Sequence, residues 1–250
     1  MQKIRIIPTI LFNEENIVKG KNFKSWRKVG SLYQAIKIYN LREVDELIFL
    51  DINSTEKNFI EYKLIDDFAD ECFMPVTVGG GVKSLENIEM LLKSGADKVC
   101  INTAAYNDRN FIQKAIKTYG SQCIVISVDY KRINNKLIVH TNSGKKNTGT
   151  ELFRYLDEIA ELTPGEIILT SIDHEGNMKG YDIDNLKKVN EKYSIPIIAS
   201  GGAGTCEDFF TMFSKTGIKA ASAASIYHFT QFTPLDVKKY LKKKNINVRI

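Results

Sequence analysis

The sequence predicts an α/β protein with the fold of a (β/α)8 TIM barrel, and three observations predict it. Short apolar runs alternate with longer amphipathic segments along all 250 residues. Most runs are unbroken stretches of valine, isoleucine and leucine, as expected for parallel strands buried on both faces. The second half of the chain also repeats the first. Eight strand–helix units in a chain of this length close most economically into a barrel.

The elements follow one another in a regular order. Segments predicted as barrel strands are 4–12, 46–52, 75–79, 98–102, 123–129, 166–171, 195–199 and 219–223. The first strand passes into a polar segment predicted as a loop, which ends in Lys19 and Gly20. After the third strand, SLENIEMLLKSG has a helical pattern, with Ser84 as its N-cap and Gly95 at its end. The basic stretch KKYLKKKNINVR is predicted as the solvated face of a last helix.

An internal repeat indicates how the barrel is built. Residues 75–105 match residues 196–225, and ELIFLDIN at 46–53 matches EIILTSID at 166–173 with an offset of 120. We therefore expect one domain, residues 1–250, made of two similar half-barrels at about 1–120 and 121–250. The connection 130–150 breaks the pattern and is predicted as a hairpin that turns at Asn134-Asn135, followed by a loop on the active face.

Composition excludes several classes of function. The 35 basic and 30 acidic residues are mixed along the chain, so the net charge of +5 indicates a small anionic ligand rather than nucleic acid. The four cysteines form no CxxC pair and the three histidines lack metal-ligand spacing, so neither a metal site nor a disulfide framework is expected. No signal peptide or long apolar span is present, which favours a cytoplasmic protein with no membrane partner and no cofactor.

Two glycine clusters occupy equivalent positions in the repeat. GGG at 79–81 is followed by Asn102-Thr103, and SGGAG at 200–204 is followed by Ala224-Ser225. Each cluster lies between a strand and a helix, where backbone N–H groups can approach an anion closely. Glycine required only by tight turns is the alternative. Two equivalent clusters favour a ligand that carries a phosphate at each end.

Polar side chains at the ends of the strands are candidates for the chemistry. Asp129 ends the fifth strand and is the candidate general acid or base, with a structural loop cap as the alternative. Asp51 and Asp173 either orient the ligand or hold a loop. Further polar contacts are expected from Ser143, Thr170 and Ser200.

The opposite rim carries charges of alternating sign. Arg5, Glu46, Lys98 and Glu166 lie at the starts of four predicted strands. They could form a closed ring of ion pairs across the bottom of the barrel, or they could be scattered and solvated.

The motifs together resemble a known family. VTVGGGVKSLENIEMLLKSGADKVCINTAA, SQCIVISVDYKR, SGKKNTG, GEIILTSID followed by GYD, and PIIASGGAG with AASIYHF are similar to the cyclase (HisF) subunit of imidazole glycerol phosphate synthase. The resemblance runs from Arg5 to Val248. It implies a (β/α)8 barrel that binds a bisphosphorylated substrate at its top. It also implies a heterodimer in which a glutaminase (HisH-like) partner docks at the bottom and sends ammonia through the barrel.

The resemblance implies roles for individual residues. One phosphate would be held by Gly81, Asn102 and Thr103, and the other by Gly176, Gly202, Ala224 and Ser225. The four charges of the opposite rim match the family's gate at the ammonia entrance. Asp97 and Gln122 match positions that face the glutaminase. In a cyclase reaction, Lys19 on a flexible first loop would close over the substrate.

One position departs from the family pattern. The family uses two catalytic aspartates, at the ends of the first and fifth strands; Asp129 matches the second, and Leu11 stands in place of the first. The half-barrel repeat also pairs Leu11 with Asp129, at an offset of 118. Glu175 replaces a family aspartate and keeps its charge.

Three functions are weighed on these grounds. The leading hypothesis is an ammonia-conducting synthase subunit that amidinates a surface-polysaccharide or flagellin sugar, with a glutaminase and a third, sugar-amidating protein. The second is the usual cyclase/lyase reaction of histidine biosynthesis, with Asp129 and a compensating acid such as Glu14 or Glu15. The third is a non-catalytic scaffold that activates the glutaminase.

Overall fold

The barrel is closed by eight parallel strands in a computed structural model that describes residues 3–42 and 44–249. The strands are β1 (Arg5–Asn13), β2 (Asn16–Lys21), β3 (Lys24–Ser31), β4 (Leu47–Asp51), β5 (Val76–Gly79), β6 (Lys98–Ile101), β7 (Ile124–Ile133), β8 (Lys136–Thr141), β9 (Lys146–Glu151), β10 (Glu166–Ser171), β11 (Ile197–Ser200) and β12 (Ala220–Ala223). Neighbouring barrel strands pair in the order β1, β4, β5, β6, β7, β10, β11, β12, with β12 on β1 and β10 on β7. The predicted (β/α)8 fold is confirmed.

Helices connect the barrel strands and cover their outer face. They are α1 (Leu32–Leu41), α2 (Ser54–Lys57), α3 (Tyr62–Ala69), α4 (Leu85–Lys93), α5 (Thr103–Asn107), α6 (Arg109–Tyr119), α7 (Leu152–Ala160), α8 (Ile183–Lys192), α9 (Cys206–Thr216), α10 (Ser225–Phe229) and α11 (Pro234–Lys243), with a 3-10 turn at Ser121–Cys123. No helix in the described ranges is long and apolar enough to cross a membrane.

Local sequence signals set where several helices begin. The predicted N-cap Ser84 is confirmed, because its hydroxyl accepts a hydrogen bond from the Asn87 N–H at 3.2 Å. Thr205 and Thr233 each form a capping box with an aspartate three residues later. The basic C-terminal stretch begins on α11 and continues past its end at Lys243; its side chains are mostly exposed as predicted, except that Lys238 is buried against Asp45 at 2.7 Å.

The segment after β1 differs from the prediction. It is not a flexible loop but the antiparallel hairpin of β2 and β3, which turns at Asn22 and Phe23 with φ of 50° and 59°. Lys19 therefore lies on a strand. The sequence did not signal this hairpin because all the residues of β3 are exposed or half-buried and give no apolar alternation.

The fifth barrel strand also extends beyond its predicted end at residue 129. It continues to Ile133, because its outer half pairs antiparallel with β8. The predicted turn at Asn134-Asn135 is confirmed, with φ of 47° and 65° at the two residues. The start and end of the other predicted strands are right within one or two residues.

Side chains alternate along β1 between two apolar layers. Ile6 and Ile10 pack against the helices, whereas Ile7 joins a smaller cluster inside the barrel. That inner layer consists of Ile7, Ile48, Cys100, Val125, Ile168, Ile198 and Ala220. It separates the N-terminal end of the barrel from the C-terminal end, where the candidate site lies.

Candidate functional site

Four charged side chains close the N-terminal end of the barrel in what we call the charged ring: Arg5, Glu46, Lys98 and Glu166. Arg5 Nη1 lies 2.7 Å from Glu46 Oε1, and Arg5 Nη2 also contacts Glu166. Lys98 Nζ lies 3.2 Å from Glu46 Oε2 and 2.8 Å from Glu166 Oε2. Each member thus contacts two members of opposite sign, so the predicted ring is observed as a closed set of ion pairs.

The contacts within the ring favour the charged forms of Arg5 and Glu166. Burial by itself would lower the pKa of Arg5, but the hydrogen bonds and charges of Glu166 and Glu46 raise it above its ordinary value. Burial would likewise raise the pKa of Glu166, but Arg5 and Lys98 lower it. Arg5 and Glu166 are therefore both charged at neutral pH.

The interior above the charged ring is first apolar and then polar. Thr77 is a buried polar residue at the level of the inner apolar layer. Its neighbours Val76 and Val78 face the helices, so Thr77, which lies between them, faces the barrel interior. Above that level, Thr9, Ser127 and Ser222 line the floor of a cavity. The buried hydroxyl oxygens of Thr9 and Ser222 make no hydrogen bond within the described part of the chain.

The cavity opens at the C-terminal end of the barrel and has a volume of about 280 Å³. Its walls bring together residues from most of the barrel strands. The expected site residues among them are Lys19, Asp51, Gly81, Asn102, Thr103, Asp129, Ser143, Thr170, Ser200 and Ala224.

Asp129 lies in the wall of the cavity and is 7% exposed. Asn102 Nδ2 donates a hydrogen bond to its Oδ2 at 2.9 Å. Burial raises the pKa of Asp129 to about 7, although hydrogen bonds from Thr170, Ser127 and Asn102 partly oppose this shift. A carboxyl group with a pKa near the working pH can both donate and accept a proton, which is what a general acid–base catalyst needs.

Leu11 lies directly across the barrel from Asp129. Four strand-to-strand steps separate β1 from β7 in either direction around the barrel. Leu11 is paired in register with Leu50, and both side chains line the cavity. The cavity therefore has one apolar wall and one wall that carries the carboxyl group.

The β2–β3 hairpin covers one side of the cavity. Lys19 is 2% exposed and its Nζ contacts the Glu175 carboxylate, while the Asn22 N–H donates to the Glu175 carbonyl at 2.9 Å. Burial lowers the pKa of Lys19 to about 7, and contact with the carboxylate favours its charged form. Phe23 and Trp26 extend the hairpin's contribution to the cavity wall.

The residues of the first glycine cluster lie together in the cavity. Gly81 has a φ of 70°, and a Cβ there would come within 2.8 Å of Ser54, so glycine is required for packing as well. Thr103 Oγ1 accepts a hydrogen bond from the Asn142 N–H at 3.1 Å. Ser143 Oγ donates to the Ile52 carbonyl at 2.9 Å, which fixes the β8–β9 turn beside the cluster.

The second glycine cluster is partly covered. Ser200 and Ala224 line the cavity, but Gly176, Gly202 and Ser225 do not. A Cβ at Gly176 would lie 2.3 Å from the Gly20 carbonyl oxygen, because the tip of the hairpin packs on it. Gly180 packs on Gly202 in the same way. The buried Ser225 hydroxyl makes no hydrogen bond to any described residue.

Comparison with known proteins gives the same assignment along the whole chain. A family model described as "Histidine biosynthesis protein" matches residues 5–233. The imidazole glycerol phosphate synthase subunit HisF of Clostridium botulinum is 42% identical over 253 residues, which cover 100% of both chains. The HisF subunit of Chlorobium phaeobacteroides is 42% identical over 247 residues, 98% of each chain. A Campylobacter jejuni protein named "Putative imidazole glycerol phosphate synthase subunit hisF2" is 42% identical over 250 residues, 100% of each chain.

The chain belongs to the HisF family.

Several expected residues of this HisF-family chain also have structural tasks. Asp51 Oδ1 accepts hydrogen bonds from the N–H groups of Asn53 and Ser54, and Asp173 accepts one from the Arg132 N–H at 2.7 Å. On the N-terminal rim, Asp97 is exposed and accepts a hydrogen bond from the Val76 N–H at 2.7 Å. Gln122 is exposed on the same rim, just before β7.

Sequence reasoning missed part of the HisF-family site. Ser127 and Ser222 could have been found, because side chains two residues apart on a strand face the same side. Ser127 is two residues from Asp129, which lines the cavity, and Ser222 is two residues beyond Ala220 of the inner apolar layer. Phe23 and Trp26 could not, since their place in the cavity depends on a hairpin that the sequence does not signal.

Proposed function

We propose that this chain is the synthase subunit of a glutamine amidotransferase complex, taking up ammonia at the charged ring and using it in the cavity. One observation carries the proposal: the charged ring, the inner apolar layer and the Asp129 cavity follow one another along the axis of the barrel. The names of its relatives, which are subunits of imidazole glycerol phosphate synthase, support it.

The interior suits ammonia rather than ammonium. Moving an unpaired cation through the inner apolar layer would carry a large desolvation cost, whereas neutral ammonia is small and weakly polar. The charged ring must open for passage. Its longest contact is that between Lys98 and Glu46, so movement of the Lys98 side chain is the simplest way to open it.

In the cavity, Asp129 moves protons for the reaction of ammonia with the acceptor. The first glycine cluster, with Gly81, Asn102 and Thr103, offers donors for a phosphate of the acceptor. Removing an acid–base group commonly costs about 10² to 10⁴ in rate, so a site with Leu11 opposite Asp129 suits a reaction that needs one such group.

Two acceptors fit this proposal, each on its own observation. Leu11 in place of a second acid favours amidination of a surface-polysaccharide or flagellin sugar, together with a third, sugar-amidating protein. Identity of 42% to HisF subunits favours the cyclase/lyase reaction of histidine biosynthesis. For that reaction the compensating acid would be Glu175, which lines the cavity, rather than Glu14, which is exposed and bound to Lys57 at 2.9 Å.

The experiment that separates the two uses the isolated chain with ammonium chloride and the histidine-pathway substrate. Turnover that is lost in Asp129→Asn would support the cyclase reaction. No turnover, together with stimulation of the glutaminase from the same genome, would rule out the cyclase reaction and leave the sugar acceptor and the non-catalytic scaffold, which incorporation of ammonia into a sugar separates. A chain that gives neither result contradicts the proposed function.

A further inference from the structure

Leu11 and its neighbours give the cavity an apolar wall. Leu11 and Leu50 pair in register on β1 and β4, and Ile52, two residues beyond Leu50, lines the same cavity. We call Leu11, Leu50 and Ile52 the apolar wall. Although Leu11 is only 9% exposed, the wall borders the open space of the cavity rather than a packed core. Its side chains are therefore available to a ligand.

The apolar wall adjoins the first glycine cluster. Leu50 is paired in register with Gly79, and a Cβ added to Gly79 would lie 3.0 Å from Leu50 Cδ2. The leucine side chain thus lies against the strand that leads into Gly81. Leu11 is one strand further away, so two strand spacings, about 10 Å, separate its backbone from that of Gly79. A phosphate bound at this cluster places the carbon atoms attached to it beside the wall.

Other surfaces of the cavity offer polar side chains, and the apolar wall offers none. Asp129 lies opposite with its carboxyl group, and the hydroxyls of Thr9 and Ser222 on the floor make no hydrogen bond to a described residue. A hydroxyl group of a ligand can form hydrogen bonds at these places. At the apolar wall the same group would lose its water and gain no partner, which is unfavourable. The wall therefore favours an apolar group of the ligand.

The position of Asp129 fixes which part of an acceptor meets the apolar wall. In the proposed reaction, ammonia enters the cavity from below, and the carbon atom that it attacks has to lie within reach of Asp129 for proton transfer. Leu11 lies directly across the barrel from Asp129. A substituent of that carbon atom that points away from Asp129 therefore faces Leu11.

We propose that Leu11 determines the specificity of the cavity, and that the acceptor is a phosphate ester with an alkyl group beside the reacting carbon, packed on Leu11 and Leu50. This inference rests on the proposed function and gives its acceptor a chemical class. It also gives Leu11 a task of its own: in place of a second acid, the chain has a surface that binds the acceptor. An ester with only hydroxyl groups on that side is the poorer ligand.

The test compares propyl phosphate with glycerol 3-phosphate, which has the same carbon chain but carries hydroxyl groups, by NMR titration of the purified chain. The Gly81 amide signal reports binding. Leu11→Asn keeps the net charge, so the attraction for phosphate is unchanged, but it puts a polar amide into the apolar wall. The variant should raise the Kd of propyl phosphate about 10-fold, as expected for the loss of about two buried CH₂ groups, and should not raise that of glycerol 3-phosphate.

Two further variants support this comparison. Leu137→Asn is the matched control, because Leu137 is a half-buried strand residue outside the cavity wall, and both Kd values should stay as in the unmodified chain. Leu11→Ala removes apolar atoms without adding a polar group. It should raise the Kd of propyl phosphate about 4-fold, and it carries the test if Leu11→Asn does not fold.

The outcomes separate the inference from the proposed function. A selective loss of affinity for propyl phosphate in the folded Leu11 variants supports the inference. Any other result in those variants, whether the two Kd values change by the same factor or stay constant, overturns it; the proposed phosphate site then stands, because both esters still shift the Gly81 signal. If neither ester shifts that signal in the unmodified chain, the proposed phosphate site and the inference are both wrong.

Discussion

The two ends of β1 belong to two very different sites. At its start, Arg5 completes a ring in which every charge contacts two opposite charges. At its end, Leu11 faces a carboxyl group across the cavity and gives that group no partner. β1 thus contributes to two sites: the charged ring, in which every charge has two opposite partners, and the cavity, in which Asp129 has only Leu11 opposite it. Under the proposed function, the uptake of ammonia and the chemistry performed on it could therefore change independently.

The two sites also differ in how their charges are held. In the charged ring, opposite charges offset the cost of burial and keep Glu166 ionised. Around Asp129, burial dominates and the nearby hydrogen bonds only partly oppose it, so the carboxyl group sits near its point of titration at neutral pH. A buried ion-pair network and a candidate acid–base catalyst are thus distinguished by their neighbours rather than by residue type.

The largest expected effect is a loss of turnover when the carboxyl group of Asp129 is replaced. Asp129→Asn should reduce ammonia-dependent turnover by about 10² to 10⁴, because the amide can neither take nor return a proton. Asp173→Asn is the control, since Asp173 holds a loop through the Arg132 N–H and lies outside the cavity wall. Initial rates with ammonium chloride measure both, and an Asp129→Asn enzyme with normal rates would refute the role given to this carboxyl group.

The second prediction concerns stability and needs no substrate. The pKa of Asp129 is about 7 in the folded state and near 3.8 when unfolded, so the unfolding free energy falls as the pH rises from about 4 to 7. The Asp129→Asn variant has no carboxyl group to titrate at this position, so its unfolding free energy should not fall in this way. Relative to the unmodified chain, the variant's unfolding free energy should therefore increase by roughly 3 kcal/mol between pH 5 and pH 8.

Urea denaturation at the two pH values measures that difference. Glu191→Gln, on an exposed pair with Lys187, is the control and should show no such gain. A constant difference between the Asp129→Asn variant and the unmodified chain at both pH values would mean that Asp129 is not held protonated by burial.

The third prediction concerns the loss of one cation from the charged ring at the N-terminal end of the barrel. Lys98→Met leaves Glu46 and Glu166 with only Arg5 as a partner, and should cost about 1–3 kcal/mol of stability. If ammonia from the glutaminase enters through the charged ring, as proposed, the variant should also alter turnover driven by glutamine more than turnover driven by added ammonium, which can reach the cavity from its open end. Lys93→Met, on the exposed pair with Glu89, is the matched control. Equal effects on both routes would contradict a role in ammonia uptake.

The smallest expected effect is on the hairpin that covers the cavity. Glu175→Gln removes the charge that Lys19 contacts and should loosen the hairpin by about 1 kcal/mol. Trp26 is the single tryptophan of the chain and lines the cavity, so its fluorescence reports on the hairpin alone. The variant's emission should shift to longer wavelength, whereas Glu191→Gln should leave it unchanged. Unchanged emission in both would show that the pair does not hold the hairpin.

Much of this architecture could be predicted from the sequence, because buried parallel strands leave unbroken apolar runs. Positions at the starts of strands then bring Arg5, Glu46, Lys98 and Glu166 to one rim, and positions at the ends bring Leu11 and Asp129 to the other. These follow from strand direction alone.

What could not be predicted depends on long-range contacts. Lys19 and Glu175 are 156 residues apart, and nothing near either residue signals their contact. The covering of Gly176 by Gly20 follows from the same hairpin, and therefore escaped prediction too. The raised pKa of Asp129 required the burial around it, which a sequence pattern does not give.

The most direct measurement is the rate of glutamine hydrolysis by the purified glutaminase subunit from the same genome as this chain is titrated into it. If the chain is the ammonia-receiving subunit, hydrolysis should rise with added chain and saturate at one chain per glutaminase. A rate that stays constant across the titration, with no complex detected, would contradict the account.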